Sequence, residues 1–413
     1  MHVSNRRQFA IAWLATLLFF AAFYALLIPL PLYLDRIGLR DWQIGAILGG
    51  FGVASLLGRP LAGVATDRIG ARRMMLGGVG ALLLGTLGMT ATAAMPALFA
   101  LRVAQALGYV AFTTASTALV ADLSMPEHRG LALARFGIAA NVAMTLTPAL
   151  VGAILPALSI PGAFWLAGAL VLGGGLLATR IRYTPAVNRT LTSADEREIE
   201  TSIRVHPRPS ASRQVQLGQV AAALCLPMAM AALLGIGFGA FLQFMPLLAA
   251  RRGNIDAGLI YASYGVAIIG TRLLTGRWLD RVDTSIVLGG GFAALALGLS
   301  LFAVVQTWPL FLLATALVAA GGGMLHPALI TLHVATIPAQ ARGQATACFY
   351  LAFDLGIGGG AWLLGLVLQW WGLMWLYLVA ALLACMGSLL AQPLGRRAAL
   401  PPHPSATIRS TGV

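Results

Sequence analysis

The chain has 413 residues, of which 59% are hydrophobic and 10% are charged, and its formal net charge at pH 7 is +14. A soluble domain carries about 25% charged and about 45–50% apolar residues, so this composition excludes a water-soluble enzyme. Strongly basic chains often bind nucleic acid, but basic groups on a mostly apolar chain do not fit that partner. We therefore expect an integral membrane protein that binds no nucleic acid.

Twelve apolar runs are each long enough to form a transmembrane helix, which needs about 20 mostly apolar residues. The sequence therefore predicts an all-α integral membrane fold with two pseudo-symmetric bundles of six helices, residues 1–180 and 215–392, joined by a linker over 181–214 and followed by a tail over 393–413. The predicted helices cover residues 8–34, 42–65, 74–94, 97–121, 131–158, 161–180, 215–249, 257–279, 286–306, 308–335, 344–370 and 372–392.

The linker is the one stretch with the composition of a soluble protein. Ser193 and Glu196 have the spacing of a helix capping box, which predicts a short surface helix over 193–204. We interpret the linker as a solvated tether between the bundles. A regulatory or partner-binding segment is the alternative.

Arginine residues are concentrated in alternate connections between the predicted helices. The arginine-poor connections contain only Arg36, Arg40, Arg251 and Arg252, whereas the linker and both chain ends belong to the arginine-rich set. Connections rich in basic residues stay in the cytoplasm. We therefore expect a multi-pass protein of the cytoplasmic (inner) membrane with both termini in the cytoplasm.

The two halves of the chain repeat one another at an offset of 213 positions. Residues 59–68 and 272–281 both read R-x-L-x-G-x-x-x-D-R, and the same offset carries Asn141 onto Asp354. This agreement indicates tandem copies in parallel orientation. Transporters built from such copies bind substrate near mid-membrane between them, so the repeat predicts a central site.

Two motifs in the first half carry a family resemblance. The first is G-x-L-A-D-R-x-G-R-R/K. The chain matches it at Gly63, Asp67, Arg68, Gly70 and Arg72 and differs from it at Ala65, Thr66 and Ala71. The second is R-x-x-Q-G-x-G, which residues 102–108 match with Ala106 in place of a glycine. On these motifs the sequence resembles the major facilitator superfamily, and within it the twelve-helix proton-coupled efflux carriers of bacteria.

The resemblance implies that Asp67 belongs to a latch on the cytoplasmic side, with Arg72 and Asp122 as partners. A carboxylate at a helix end can bond free N–H groups of a neighbouring helix and complement its dipole. A static loop brace is the alternative. The predicted gating residues are Gly63, Asp67, Arg68, Gly70, Arg72, Asp122, Asp280 and Arg281.

Asp354 is the one acidic residue near the middle of a predicted helix. A charge at the bilayer centre costs about 2.5–3.5 kcal/mol, so such residues are usually paired or functional. We predict that Asp354 carries the proton together with His326 and with Arg102, which resembles the family's fourth-helix arginine. A hydrogen-bonded structural pair is the alternative for Asp354. Arg59 and Arg272 are expected to snorkel to the cytoplasmic surface.

Five polar side chains on apolar helices are candidates to line the cavity, although each could instead bond a neighbouring helix. They are Tyr24, Gln105, Tyr109, Asn141 and Gln243. The sparse histidines and acids indicate neither a metal site nor a catalytic cluster, and no P-loop is present in the sequence. We therefore expect no metal and no cofactor, with a proton gradient as the driving force.

The sequence thus predicts a secondary active transporter rather than an enzyme. It would move a small organic solute across the lipid bilayer by alternating access, as a monomer, with proton-coupled efflux as the favoured mode. A proton symporter or uniporter for uptake and a non-transporting receptor are the alternatives. The few charged residues expected in the cavity argue against highly charged sugar phosphates and permit neutral, amphipathic or cationic solutes.

Overall fold

A computed structural model describes residues 3–125, 128–182, 217–253, 255–279, 282–337 and 342–398. Within these residues the secondary structure is helical and includes no β-strand. One 3₁₀ turn, Met89–Ala91, follows the fourth helix. The α-helices are α1 (Val3–Ala25), α2 (Pro29–Arg36), α3 (Asp41–Ile69), α4 (Ala71–Gly88), α5 (Met95–Leu123), α6 (Arg129–Ile154), α7 (Ile160–Thr179), α8 (Leu217–Arg252), α9 (Ala257–Leu279), α10 (Thr284–Val304), α11 (Trp308–Thr336) and α12 (Arg342–Ala398).

At two places the helices of the structure do not correspond one to one with the predicted spans. Helices α1 and α2 together form the first span, and Pro29, which has no N–H to donate, begins the second piece. Helix α12 has 57 residues, about 85 Å at ~1.5 Å per residue, enough for two crossings of a bilayer. Gly372, at φ 82°, interrupts it in a conformation that glycine adopts without strain. The predicted all-α fold with twelve spans is confirmed.

The predicted domain boundaries fall largely where the structure gives no description. The described residues stop at 182 and resume at 217, so the linker helix expected over 193–204 lies outside them. Helix α12 continues to Ala398, into the segment predicted as the tail, and 399–413 also lie outside the described residues. The domain boundaries therefore stay a prediction.

The main contacts between the two halves are two helix pairs, α3 with α12 and α6 with α9, and α2 also contacts α8. The sequence repeat carries α3 onto α9 and α6 onto the first span of α12, so each pair is the counterpart of the other. We name the side of the bundle that holds residues 182 and 217 the linker side, and the other the opposite side. Helix α3 begins on the opposite side at Asp41 and ends on the linker side at Ile69.

Glycines bring the halves together on the opposite side. A Cβ on Gly365 of α12 would lie 2.7 Å from the Cα of Gly45 on α3, and a Cβ on Gly152 of α6 would lie 2.3 Å from the Cα of Gly258 on α9. No side chain fits at these distances, so the backbones are in direct contact, as small residues allow between membrane helices. The halves are closed against each other on this side.

The interface is open on the linker side. Asn141 on α6 and Arg272 on α9 face each other between the halves, yet both are exposed. The side chain of Arg59 on α3 is also 25% exposed. A space between the halves therefore opens toward the linker side.

Alanine substitutions at two neighbouring glycines of α12 test the contact between the halves. A Cβ on Gly358 would lie 2.4 Å from the Cα of Gly52, whereas a Cβ on Gly359 meets nothing within 4 Å. Overpacking costs about 1–3 kcal/mol, so we expect Gly358→Ala to lower the melting temperature of the purified protein in detergent and Gly359→Ala to leave it unchanged or raise it. Equal melting temperatures for the two variants would contradict the backbone contact.

Candidate functional site

Asp354 binds two side chains of the other half at the middle of the membrane-spanning region. Its Oδ2 accepts hydrogen bonds from Ser55 Oγ at 2.7 Å, from Arg59 Nε at 2.8 Å and from Arg59 Nη2 at 2.5 Å. Ser55 and Arg59 lie one turn apart on α3, so they share a face. The expectation that Arg59 reaches the cytoplasmic surface is wrong, because the close approach of α3 and α12 puts the buried carboxylate within its reach.

An aromatic cluster lies beside this ion pair. The Arg59 guanidinium stands over the ring of Tyr350, 5.4 Å from its centroid, a cation–π arrangement. The ring of His326 on α11 meets Phe349 at 5.0 Å, Phe353 at 5.7 Å and Tyr350 at 6.0 Å, edge to face in each case. His326 therefore lies beside the residues that surround Asp354, but its own contacts are with aromatic rings.

Arg102 lies within the first half and is separate from the ion pair. Its Nη1 donates to Gln105 Oε1 at 3.0 Å, and Gln105 Nε2 donates to Thr86 Oγ1 at 3.2 Å. The Arg102 guanidinium is also 5.7 Å from the ring centroid of Phe23, and its buried Nε has no partner among the described residues. Arg102 is thus a buried cation held by amide and ring groups, and its predicted role in proton coupling stays a prediction.

Tyr24 and Tyr109 form an aromatic wall on the first-half side of the centre. The ring of Tyr109 is 4.6 Å from that of Phe23 and 5.4 Å from that of Phe51, and Tyr24 meets Phe23 at 5.6 Å. Both tyrosines are within electrostatic range of Asp354. Two of the predicted cavity residues therefore lie around the ion pair.

The other cavity candidates have different surroundings. Asn141 Oδ1 faces Arg272 Nη1 at 3.5 Å, the limit of a hydrogen bond. Gln243 on α8 is buried, and its Oε1 has no partner among the described residues. Gln105 is committed to Arg102 and Thr86. Asn141 and Gln243 thus keep polar atoms available to a ligand.

The predicted gate begins at the connection from α3 to α4. Gly70 adopts φ 88° and joins the two helices. Asp67 and Arg68 are exposed, and neither forms an ion pair with another residue in the described part of the chain. A Cβ on Gly63 would meet nothing within 4 Å. The connection is therefore solvent-facing in this state.

The remaining gate candidates are Arg72, Asp122, Asp280 and Arg281. Arg72 Nη2 donates to the carbonyl oxygen of Thr179 at 2.7 Å, which ties the start of α4 to the end of α7. Asp122 is exposed at the end of α5. Asp280 and Arg281 lie outside the described residues. The gating roles stay a prediction.

Sequence reasoning missed an ion pair on the opposite side. Arg251, at the end of α8, donates from Nη2 to Asp35 Oδ1 at 2.7 Å and binds Asp41 through both terminal nitrogens. These contacts join the two halves where the glycine-lined helices close. The only signal in the sequence was an arginine in an arginine-poor connection, and it named no partner.

Comparison with known proteins decides the family. A family model described as Major Facilitator Superfamily matches residues 12–254 and 253–411. The chain belongs to the major facilitator superfamily. The MFS-type transporter YhhS of Escherichia coli strain K12 is 28% identical over 391 residues, which cover 92% of this chain and 91% of that relative. The YhhS protein of Salmonella typhimurium strain LT2 is 31% identical over 178 residues, 43% of this chain and 44% of the relative.

Solved structures share the fold at low sequence identity. A POT family transporter in complex with a thioalcohol-conjugated peptide has a TM-score of 0.76 and 12% identity, covering 95% of this chain and 97% of that one. The nucleoside transporter NupG has a TM-score of 0.72 and 16% identity, covering 94% and 99%. The human organic anion transporter MFSD10 has a TM-score of 0.63 and 19% identity over the same shares. The protein is a multi-pass membrane transporter of this superfamily.

Removing the opposite-side ion pair should shift the transporter toward the state open on that side. Exposed pairs contribute about 0.2–1 kcal/mol each and Arg251 makes two of them, so Arg251→Gln should raise the population of that state roughly two- to thirtyfold. Leu48 on α3 is 2% exposed, and Leu48→Cys is introduced into a variant without native cysteines. The readout is the rate at which a membrane-impermeant thiol reagent labels this cysteine. The control Arg36→Gln removes a charge from the same side, and equal rates in the two variants would show that Arg251 does not hold the side closed.

Proposed function

We propose that this transporter exports a small organic solute by alternating access, in exchange for protons. The observation that supports the proposal is the ion pair of Arg59 with Asp354, which joins the halves at mid-membrane. Hydrogen bonds to ionised groups are roughly twice as strong as neutral ones. Protonation of Asp354 would weaken this bond between the halves, so the proton would bias the conformational equilibrium.

Access to the pair supports the same role. The side chain of Asp354 is 6% exposed and that of Arg59 is 25% exposed, and the space beside them opens toward the linker side. When the halves rock to the other state, the carboxyl would face the opposite side instead. A group that is charged or neutral in turn, and that faces each side in turn, is what proton coupling requires.

The direction and orientation are part of the proposal. Arg102 and Gln105 resemble the fourth-helix motif of the proton-coupled efflux carriers, which favours export. The arginines of the linker side favour its placement in the cytoplasm. We propose that the protein acts as a monomer in the bilayer, with the proton gradient as its driving force and no cofactor.

The latch predicted on the linker side fits this cycle. Asp67 and Arg68 are exposed while that side is open. In the state open on the opposite side, the linker-side ends of the two halves would approach each other. We propose that Asp67 then binds its partners and holds that side closed.

Asp354→Asn tests the proton role. The amide keeps the shape of the carboxyl but carries no charge, so we expect proteoliposomes of the variant to lose at least tenfold in solute movement driven by an imposed pH gradient. Exchange of solute down its own gradient should persist. The readout is an internal pH indicator together with solute analysis across a panel of small organic acids, amides and amines.

The matched control is Asp256→Asn, because Asp256 is an exposed acid that caps α9 by accepting from Leu259 N, a bond that asparagine retains. It should transport like the wild type. If Asp354→Asn still accumulates solute against its gradient from a pH difference, Asp354 is not the coupling group. Proton movement in the same direction as the solute would instead indicate symport, and binding without flux would indicate a receptor.

Asp67→Asn tests the latch. We expect normal insertion and folding, because the side chain is exposed, but transport at least tenfold slower, because the closed form of the linker side loses a charged bond. The measurement is the transport rate in proteoliposomes at matched protein content. A wild-type transport rate would indicate that Asp67 is a static brace of the loop and not part of a latch.

A further inference from the structure

The sequence repeat predicts a second ion pair between the halves, but the structure has only the arginine of that pair. The offset of 213 positions carries Arg59 onto Arg272 and Asn141 onto Asp354. In the structure both arginines reach across to the other half, Arg59 to Asp354 and Arg272 to Asn141. The two contacts are therefore counterparts in position, but the second has an amide where the first has a carboxylate.

The two contacts differ in strength as well as in charge. Arg59 donates two hydrogen bonds to Asp354, at 2.5 and 2.8 Å. Arg272 makes one contact of 3.5 Å to the neutral oxygen of Asn141. An arginine stays charged at any physiological pH. Arg272 therefore keeps a full positive charge in the space between the halves, and most of its donors have no partner among the described residues.

No other described carboxylate neutralises Arg272. Asp354 is engaged by Ser55 and Arg59, and every other acid in the described part of the chain lies at a helix end or in a connection. The groups within electrostatic range of Arg272 include Tyr264, His326 and Tyr350. The cavity beside Arg272 thus has an excess of positive charge.

A second donor near Arg272 is unpartnered. Tyr264 lies eight residues before Arg272 on α9, and this spacing puts both on one face. Its side chain is 2% exposed, and its hydroxyl has no hydrogen-bond partner among the described residues. A buried polar atom left without a partner is destabilising, so a bound ligand that accepts its hydrogen bond is stabilised. The amide N–H₂ of Asn141 also has no hydrogen-bond partner among the described residues.

We propose that the solute is a small organic anion, a carboxylate on an aromatic or apolar body, and that Arg272 binds its charged group with Asn141 and Tyr264. Tyr350 and the wall formed by Tyr24 and Tyr109 would cover the apolar body. This assignment rests on the proposed transport function and gives its substrate class. It differs from the neutral, amphipathic or cationic solutes that the low charged fraction of the sequence permits, because the sign of the charge in the cavity depends on one unneutralised arginine.

The first experiment measures the charge of the site without any ligand. In a variant with Cys225, Cys348 and Cys385 replaced by alanine, Asn141→Cys is reacted with two methanethiosulfonates of similar size, one sulfonate and one quaternary ammonium. The rate of each reagent is divided by its own rate with a free thiol. We expect this relative rate to be at least tenfold higher for the anionic reagent, and we expect Arg272→Gln to abolish the preference. A preference for the cationic reagent, or an equal preference with and without Arg272, would overturn the proposal.

The second experiment changes the site while it preserves the fold. Asn141→Asp supplies the carboxylate that the repeat lacks, and it should pair with Arg272 as Asp354 pairs with Arg59. Binding of 2-naphthoate, 2-naphthamide and 2-naphthylmethylamine, three probes with one ring system and different charge, is measured by thermal shift of the purified protein. We expect wild-type protein to favour the anion at least tenfold over the amide and the amine, and Asn141→Asp and Arg272→Gln to lose this preference, with Arg272→Lys intermediate.

The outcomes separate the site from the transport function. Neither the binding measurement nor the thiol reaction requires a proton gradient, so an anion preference without proton-driven flux supports the site and contradicts the proposed function. Proton-driven flux of an amine or amide, with no anion preference in either experiment, supports the function and overturns the site. If none of the naphthalene probes binds, the reagent ratio at Asn141→Cys decides.

Discussion

The rest of the structure depends on one constraint, that an ionised carboxylate at the middle of a membrane-spanning helix needs partners that stabilise its charge. Asp354 meets it with Arg59 and Ser55, both from the other half of the chain. The bond can form only if α3 and α12 lie close together, and Gly52 and Gly358 make this possible, since even a methyl group would not fit between them. The charge, the glycines and the docking of the halves are thus one arrangement. Breaking the pair would leave Arg59 unneutralised, so the proposed protonation of Asp354 would weaken a contact between the halves and not a local one.

The same geometry explains how the protein can be closed on one side and open on the other. The glycine contacts at Gly45 and Gly365, and the binding of Arg251 to Asp35 and Asp41, all lie on the opposite side. Packed helices are not continuously deformable, and close packing of this kind is either made or lost. Two rigid halves that touch near mid-membrane can close one side only by opening the other. The ion pair lies near the middle of this movement, where a small change in binding energy acts on the balance between the two states.

How much the sequence predicts follows from the range of the interactions. Apolar runs of fixed length predict the twelve spans, and Gly372 breaks α12 between the last two of them. The depth of Asp354 is likewise visible, because a helix has a fixed rise per residue. The partner of Asp354 is not, because Arg59 lies 295 positions away and becomes its neighbour only when the halves dock. Taken helix by helix, Arg59 looks close enough to the surface to snorkel. Arg251 was missed for the same reason, since its acidic partners lie 210 and 216 positions away.

The repeat contained more information than a motif comparison extracts from it. If α3 packs on α12, then its counterpart α9 must pack on α6, and Arg59 with Asp354 must have a counterpart in Arg272 with Asn141. Two identical copies would give two neutral pairs and a cavity without net charge from them. Replacing one carboxylate by an amide retains the shape of the contact and releases one positive charge into the cavity. A duplicated chain can in this way assign its two equivalent positions to different tasks, one that binds and releases a proton and one that holds the charge of the solute. Under this proposal the sign of the solute's charge is set by the difference between the copies, which neither copy reveals alone.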